Sequence, residues 1–101
     1  MRMLVFFDLP VETAADRREY RKFRKLLIRS GFLMLQESVY CKLLLNSTAQ
    51  ETMAQQIRRH RPPKGMVQLL TVTDKQFSRM ESISGDWHSD VVDTDERLVE
   101  L

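Results

Sequence analysis

The run Met3-Leu4-Val5-Phe6-Phe7, stopped by Asp8, constrains this chain more than any other stretch. Side chains alternate across a strand, so a run apolar at both odd and even positions has two apolar faces and suits a central strand flanked by neighbours. An ionised carboxylate is costly in a sheet core, so Asp8 belongs at the strand's exit, where it can meet water, a metal or a phosphate. A helix with seven cationic residues follows soon after, which leads us to expect an acid beside a cationic surface. Acid, metal and bound polyanion together cleave phosphodiesters, and the same arrangement can simply position nucleic acid.

The rest of the chain supplies partners for that strand. Leu9-Pro10-Val11 ends it, Thr13 with Asp16 three residues on forms a capping-box signal, and Gly31 is a stop, so a first helix is expected over about 13–30. At roughly 100° per residue, Tyr20, Phe23, Leu26 and Leu27 share one arc. Arg17, Arg18, Arg21, Lys22, Arg24, Lys25 and Arg29 share the opposite one, with Ile28 the apolar exception. Two apolar runs, 32–36 and 39–45, flank Glu37-Ser38 and read as a tight strand pair or as one long bulged strand. Ser47 or Thr48, each with Gln50 or Glu51 three residues later, is the expected cap of a second helix that buries Met53 and Ile57 and ends at Arg61-Pro62-Pro63. Lys64-Gly65 turns the chain into a strand over 66–73. Residues 74–96 read as polar and turn-rich, and Arg97-Leu98-Val99-Glu100-Leu101 as a short last strand.

The order strand, helix, strand, strand, helix, strand is that of a ferredoxin-like α+β sandwich: a four-stranded antiparallel sheet with both helices on one face. That leaves the other face of an apolar central strand uncovered, so a second copy of the chain is the simplest cover and a homodimer is expected.

At 101 residues and 43% hydrophobic, there is material for one core. No stretch is apolar enough for a membrane span, and Asp8 and Pro10 come too early for a secretory signal, so a soluble, cytoplasmic protein is expected. Cys41 reads as a buried inert thiol, and neither His60 nor His88 has a neighbour at zinc-ligand spacing. The net charge of +2 conceals an asymmetry: residues 1–80 carry 15 Lys/Arg against 7 Asp/Glu, whereas residues 81–101 carry Arg97 against seven acids. We therefore divide the chain into a basic domain, 1–80, and an acidic docking segment, 81–101, a pattern suited to a polyanion binder whose tail masks its basic surface or docks on a partner.

Each candidate has a plainer explanation. Asp-Leu-Pro is good turn chemistry, and one carboxylate per chain is too few to hold Mg²⁺ unless a dimer brings two copies of Asp8 together. A solvated helix face normally mixes charge signs, yet only Glu19 interrupts the basic arc. Arg58-Arg59-His60-Arg61 with Lys64 exceeds what favourable charge at a helix end requires, which points to phosphate contact. The RNP1 pattern of RNA-recognition motifs is absent, so base stacking on the open sheet is not expected. Trp87, in the acidic region, suits burial or partner docking.

LVFFDLP, the pair Arg17-Arg18, Gly31-Phe32, and Gln36-Glu37-Ser38-Val39-Tyr40 resemble the CRISPR-associated protein 2 family in order and spacing over residues 1–80. The stretch TDKQFSRMES resembles the form that accompanies Cas9-type systems. The resemblance implies a homodimer in which two Asp8 side chains approach across the two-fold axis and hold Mg²⁺ for endonuclease activity on RNA or DNA. It further implies a dimer clamped between two dimers of the integrase, CRISPR-associated protein 1, with prespacer duplex DNA across it. Backbone contacts would then fall to Arg17, Arg18, Arg21, Lys22, Lys25, Arg58, Arg59, Arg61 and Lys64, and docking to Leu98, Val99 and Leu101. Two functions follow: a duplex-binding scaffold for spacer acquisition, and a stand-alone, toxin-like Mg²⁺-dependent ribonuclease.

Overall fold

The computed structural model describes residues 1–85. The expectations for Trp87, His88 and the last strand with Leu98, Val99 and Leu101 lie outside the described residues. Seven elements follow in order: β1 Arg2–Asp8, α1 Ala14–Arg29, β2 Leu33–Gln36, β3 Val39–Leu43, α2 Ser47–Arg59, β4 Met66–Val72 and α3 Asp74–Ser78. The sheet runs β2-β3-β1-β4 with every pairing antiparallel, the ferredoxin-like arrangement, and β1 lies inside it as its two apolar faces require.

Alternation along β1 builds two different surfaces. Met3, Val5 and Phe7 point to the helix side and are buried with Phe23 and Leu27 of α1 and Ala54 and Ile57 of α2. Phe7 is the hub there, with ring centroids 5.7 Å from Tyr20, 5.3 Å from Phe23 and 5.7 Å from Tyr40. Leu4, Phe6 and Asp8 point to the other side, which neither α1 nor α2 covers. Among the described residues, no helix is long and apolar enough to cross a membrane.

The first helix begins as the sequence implies. The Thr13 hydroxyl accepts from the Asp16 amide at 3.0 Å, and the Asp16 carboxylate accepts from the Thr13 amide at 3.3 Å. The second helix corrects its expected cap: Asn46, rather than Ser47 or Thr48, is the N-cap, its side-chain oxygen accepting from the Ala49 amide at 2.8 Å. An Asn caps as well as a Ser, and one residue earlier it lets both hydroxyl residues join the first turn. The choice left open over 32–45 resolves into two strands joined at Glu37-Ser38, with a register shift between Met34 and Gln36. A short helix, α3, occupies the start of the stretch read as turn-rich, with Thr73 and Gln76 forming its capping box.

Candidate functional site

Asp8 ends β1 in register with Met66 of β4, and its side chain is exposed on the open sheet face. No hydrogen bond or ion pair engages that carboxylate among the described residues. It lines a shallow depression with Phe6, Ser38, Val39, Met66 and Gln68. Gly65 fixes the backbone beneath it. With φ at +88°, Gly65 sits so close that an added Cβ would stand 2.6 Å from the Asp8 carbonyl oxygen and 2.8 Å from Leu9 Cδ2. Only glycine meets both demands, left-handed backbone and absent side chain. Read from sequence, Gly65 was just part of a turn; its hold on Asp8 depends on a contact 57 positions away along the chain, which no local pattern signals.

Around Asp8 the open face is apolar. Leu4 and Cys41 are buried in it, whereas Leu33, Leu43, Leu70 and Met66 remain between 37% and 58% exposed. Burial pushes the Cys41 thiol above its ordinary value, with Arg2 pulling weakly the other way, as expected of an inert thiol. At the far end of β1, Arg2 bonds Asp74 at 3.1 Å and lies 4.8 Å from the Phe77 ring centroid, which ties α3 to the sheet. This cluster was not legible, because Asp74 and Phe77 belong to the helix the sequence hid.

The cationic residues of α1 lie elsewhere. Since α1 packs on the Met3-Val5-Phe7 side, its outer arc faces away from the sheet, and Asp8 projects from the opposite side. The expectation of an acid beside a cationic surface is therefore corrected: a strand alternates sides residue by residue, and Asp8 follows inward-facing Phe7. Arg18, Arg21, Lys22 and Lys25 on α1, and Arg59 on α2, are exposed and unpaired among the described residues. Four others hold the chain itself. The Arg17 guanidinium donates to the carbonyls of Val11 and Glu12, both at 3.1 Å; Arg58 reaches Glu51 at 3.4 Å; Arg61 donates to the Arg58 carbonyl at 3.3 Å; and Lys64 lies 3.8 Å from Asp16. Arg24 turns inward, its Nε donating to the buried Tyr40 hydroxyl at 2.9 Å.

Among the described residues no three His, Cys, Asp or Glu side chains gather as a metal site. At this depression one protomer therefore offers Mg²⁺, which takes hard oxygen ligands, a single carboxylate, that of Asp8.

Fold and site together define a small ferredoxin-like protein with a strand-end carboxylate on a partly exposed apolar sheet face and a cationic helix layer behind it. Residues 1–80 match the family model of CRISPR associated protein Cas2, and the chain belongs to that family. It is 52% identical over 101 residues to a protein of Treponema denticola named CRISPR-associated endoribonuclease Cas2, covering all of both chains. A Streptococcus mutans protein of the same name is 48% identical, with all of this chain and 93% of that one covered. The crystal structure of Streptococcus pyogenes Cas2 at pH 6.5 superposes with a TM-score of 0.62 at 19% identity over 83% of this chain and all of that one, a likeness of fold.

Proposed function

We propose that this CRISPR-associated protein works as a face-to-face homodimer that cleaves RNA at a metal site shared by two Asp8 carboxylates and carries duplex DNA on its helix side. The observation that carries this reading is the exposed Asp8, unpartnered among the described residues, at the rim of an apolar sheet face that α1 and α2 do not cover. A second copy laid on that face buries Leu33, Leu43, Leu70 and Met66 and brings a second carboxylate to the first. Two carboxylates with neutral oxygens and water form a donor set suited to Mg²⁺, which would polarise the phosphate and activate water. The shared name of the relatives, endoribonuclease, favours RNA as the cleaved strand.

The cationic layer does a different job. Arg18, Arg21, Lys22, Lys25 and Arg59 bind phosphates without reading sequence. Arg17, Arg58, Arg61 and Lys64 join them by trading exposed internal partners for phosphate. In this reading the dimer is a cytoplasmic scaffold for prespacer duplex DNA between integrase dimers, CRISPR-associated protein 1. Residues 81–101, through Leu98, Val99 and Leu101, add a strand to a neighbouring edge and dock that partner.

Asp8→Ala separates the two roles. Ribonuclease activity should disappear while dimer mass, DNA binding and spacer acquisition persist; retained cleavage would remove Asp8 from the chemistry. Deleting residues 81–101 should abolish co-purification with the integrase and leave a DNA-binding dimer. Tighter DNA binding with an intact integrase complex would instead make the tail autoinhibitory.

A further inference from the structure

The helix α2 ends in Arg58-Arg59-His60-Arg61, three arginines with a histidine among them. His60 is exposed, and one side of its ring is already committed. Nδ1 lies 2.9 Å from the carbonyl oxygen of Gln56, four residues back, and the His60 backbone amide reaches the same oxygen at 3.2 Å. A carbonyl oxygen only accepts, so Nδ1 carries a hydrogen whether the ring is neutral or charged. The tautomer is thereby fixed, and Nε2 is the nitrogen that gains or loses a proton.

The charges around this ring are mostly positive. Arg58, Arg59 and Arg61 flank His60 along the chain, and Lys64 follows in the next loop. On the α1 side, Gln56, one turn before His60, donates to the Ser30 hydroxyl at 3.4 Å, and the charged residue at that end of α1 is Arg29. The carboxylates these cations reach are Glu51, 3.4 Å from Arg58, and Asp16, 3.8 Å from Lys64; neither pairs with His60 among the described residues. Neutral imidazole would turn a lone pair at Nε2 towards a phosphate oxygen, acceptor against acceptor. Imidazolium offers an N–H and a positive charge at the same point, and so joins the unpaired Arg59 as a donor. A phosphodiester there favours the charged ring in turn, since an opposite charge within about 4–6 Å stabilises an ionised group. The plainer role of His60 is to close a last-turn carbonyl of the helix, which involves neither ligand nor proton.

We infer that His60 is a phosphate-binding residue that takes up a proton at Nε2 when duplex DNA binds, so that the grip of this end of α2 tightens as pH falls. This rests on the reading that the cationic helix layer carries duplex DNA. Linkage is reciprocal: whatever the bound duplex does for the proton, the proton does for the duplex.

The test uses the full chain as wild type, His60→Gln, His60→Lys, Arg59→Ala and His88→Gln, the last removing the chain's other histidine. Binding of a DNA duplex is followed against salt at about pH 6 and about pH 8, on either side of the range in which imidazole titrates. Wild type should bind more tightly at the lower pH, with a salt slope steeper by about one unit because one more phosphate is neutralised. His60→Gln should keep the shallow slope at both pH values and His60→Lys the steep one, while His88→Gln should follow wild type. Calorimetry in two buffers of different ionisation enthalpy should find proton uptake on binding by wild type and none by His60→Gln. A helix-end cap alone predicts that His60→Gln responds to pH as wild type does, and that result would overturn the inference; so would a response lost in His88→Gln and kept in His60→Gln. If Arg59→Ala has the wild-type slope at both pH values, this end of α2 does not meet the duplex: the DNA reading fails here and the inference falls with it.

Discussion

The two faces of one sheet come from the same strand and have opposite fates. On the helix side Met3, Val5 and Phe7 are at most 5% exposed, and Phe7 makes aromatic contacts with α1 and β3. On the other side Leu70 and Leu43 stand about half exposed, although they are as apolar as anything in the core. Hydrophobicity alone therefore does not say where a side chain ends up; the topology decides which face receives α1 and α2, and the apolar positions they leave exposed among the described residues are available to a second molecule. The polar residues repeat the contrast. Among the described residues Asp8 and Gln68 lie on the open face without internal partners, whereas the helix layer carries cations.

The largest expected difference between the faces is energetic. Phe7→Ala should cost about 3–5 kcal/mol in urea unfolding, since it empties the centre of the aromatic cluster. Leu70→Ala should change the stability of a single chain by only about 0.5 kcal/mol and appear instead as weaker self-association in sedimentation. Equal losses at every protein concentration would erase the distinction. Next comes Gly65→Ala, expected to cost about 1–3 kcal/mol from left-handed strain and to cut cleavage further by displacing Asp8; full activity in the folded variant would show that Asp8 tolerates the shift. Third, Arg18→Ala or Lys22→Ala should each lower the salt slope of duplex binding by about one unit, with Arg17→Ala lowering it less because that guanidinium already holds two carbonyls. A slope that responds to Asp8→Ala in place of these would put nucleic acid on the wrong side. The smallest effect is that of Arg58→Ala, which breaks an exposed pair with Glu51 and should cost about 0.5 kcal/mol or less in thermal unfolding.

Much of this was legible in the sequence, for reasons that can be named. The central place of β1 followed from a run apolar at both parities. The start of α1 followed from Thr13 and Asp16, a purely local capping signal, and the basic arc from a 3.6-residue period. What stayed hidden was either very short or set by distant partners. The helix α3 has only five residues, too few for a periodic pattern, although its Thr73–Gln76 box was readable in retrospect. Asn46 took the cap of α2 because three adjacent residues could all cap, and propensity does not rank them. Which side Asp8 would face was deducible from Phe7 by alternation once the helix side of β1 was known; the register with Gln68 was not, since it depends on how β4 slides against β1.

The bond from Arg24 to Tyr40 carries a consequence for any footprint on α1. The Nε–H of Arg24 is committed to the buried Tyr40 hydroxyl, so this exposed guanidinium is tethered where its neighbours Arg21 and Lys25 are unpaired among the described residues. The same bond joins α1 to β3, and so helps to fix which way the helix's strip of charge faces.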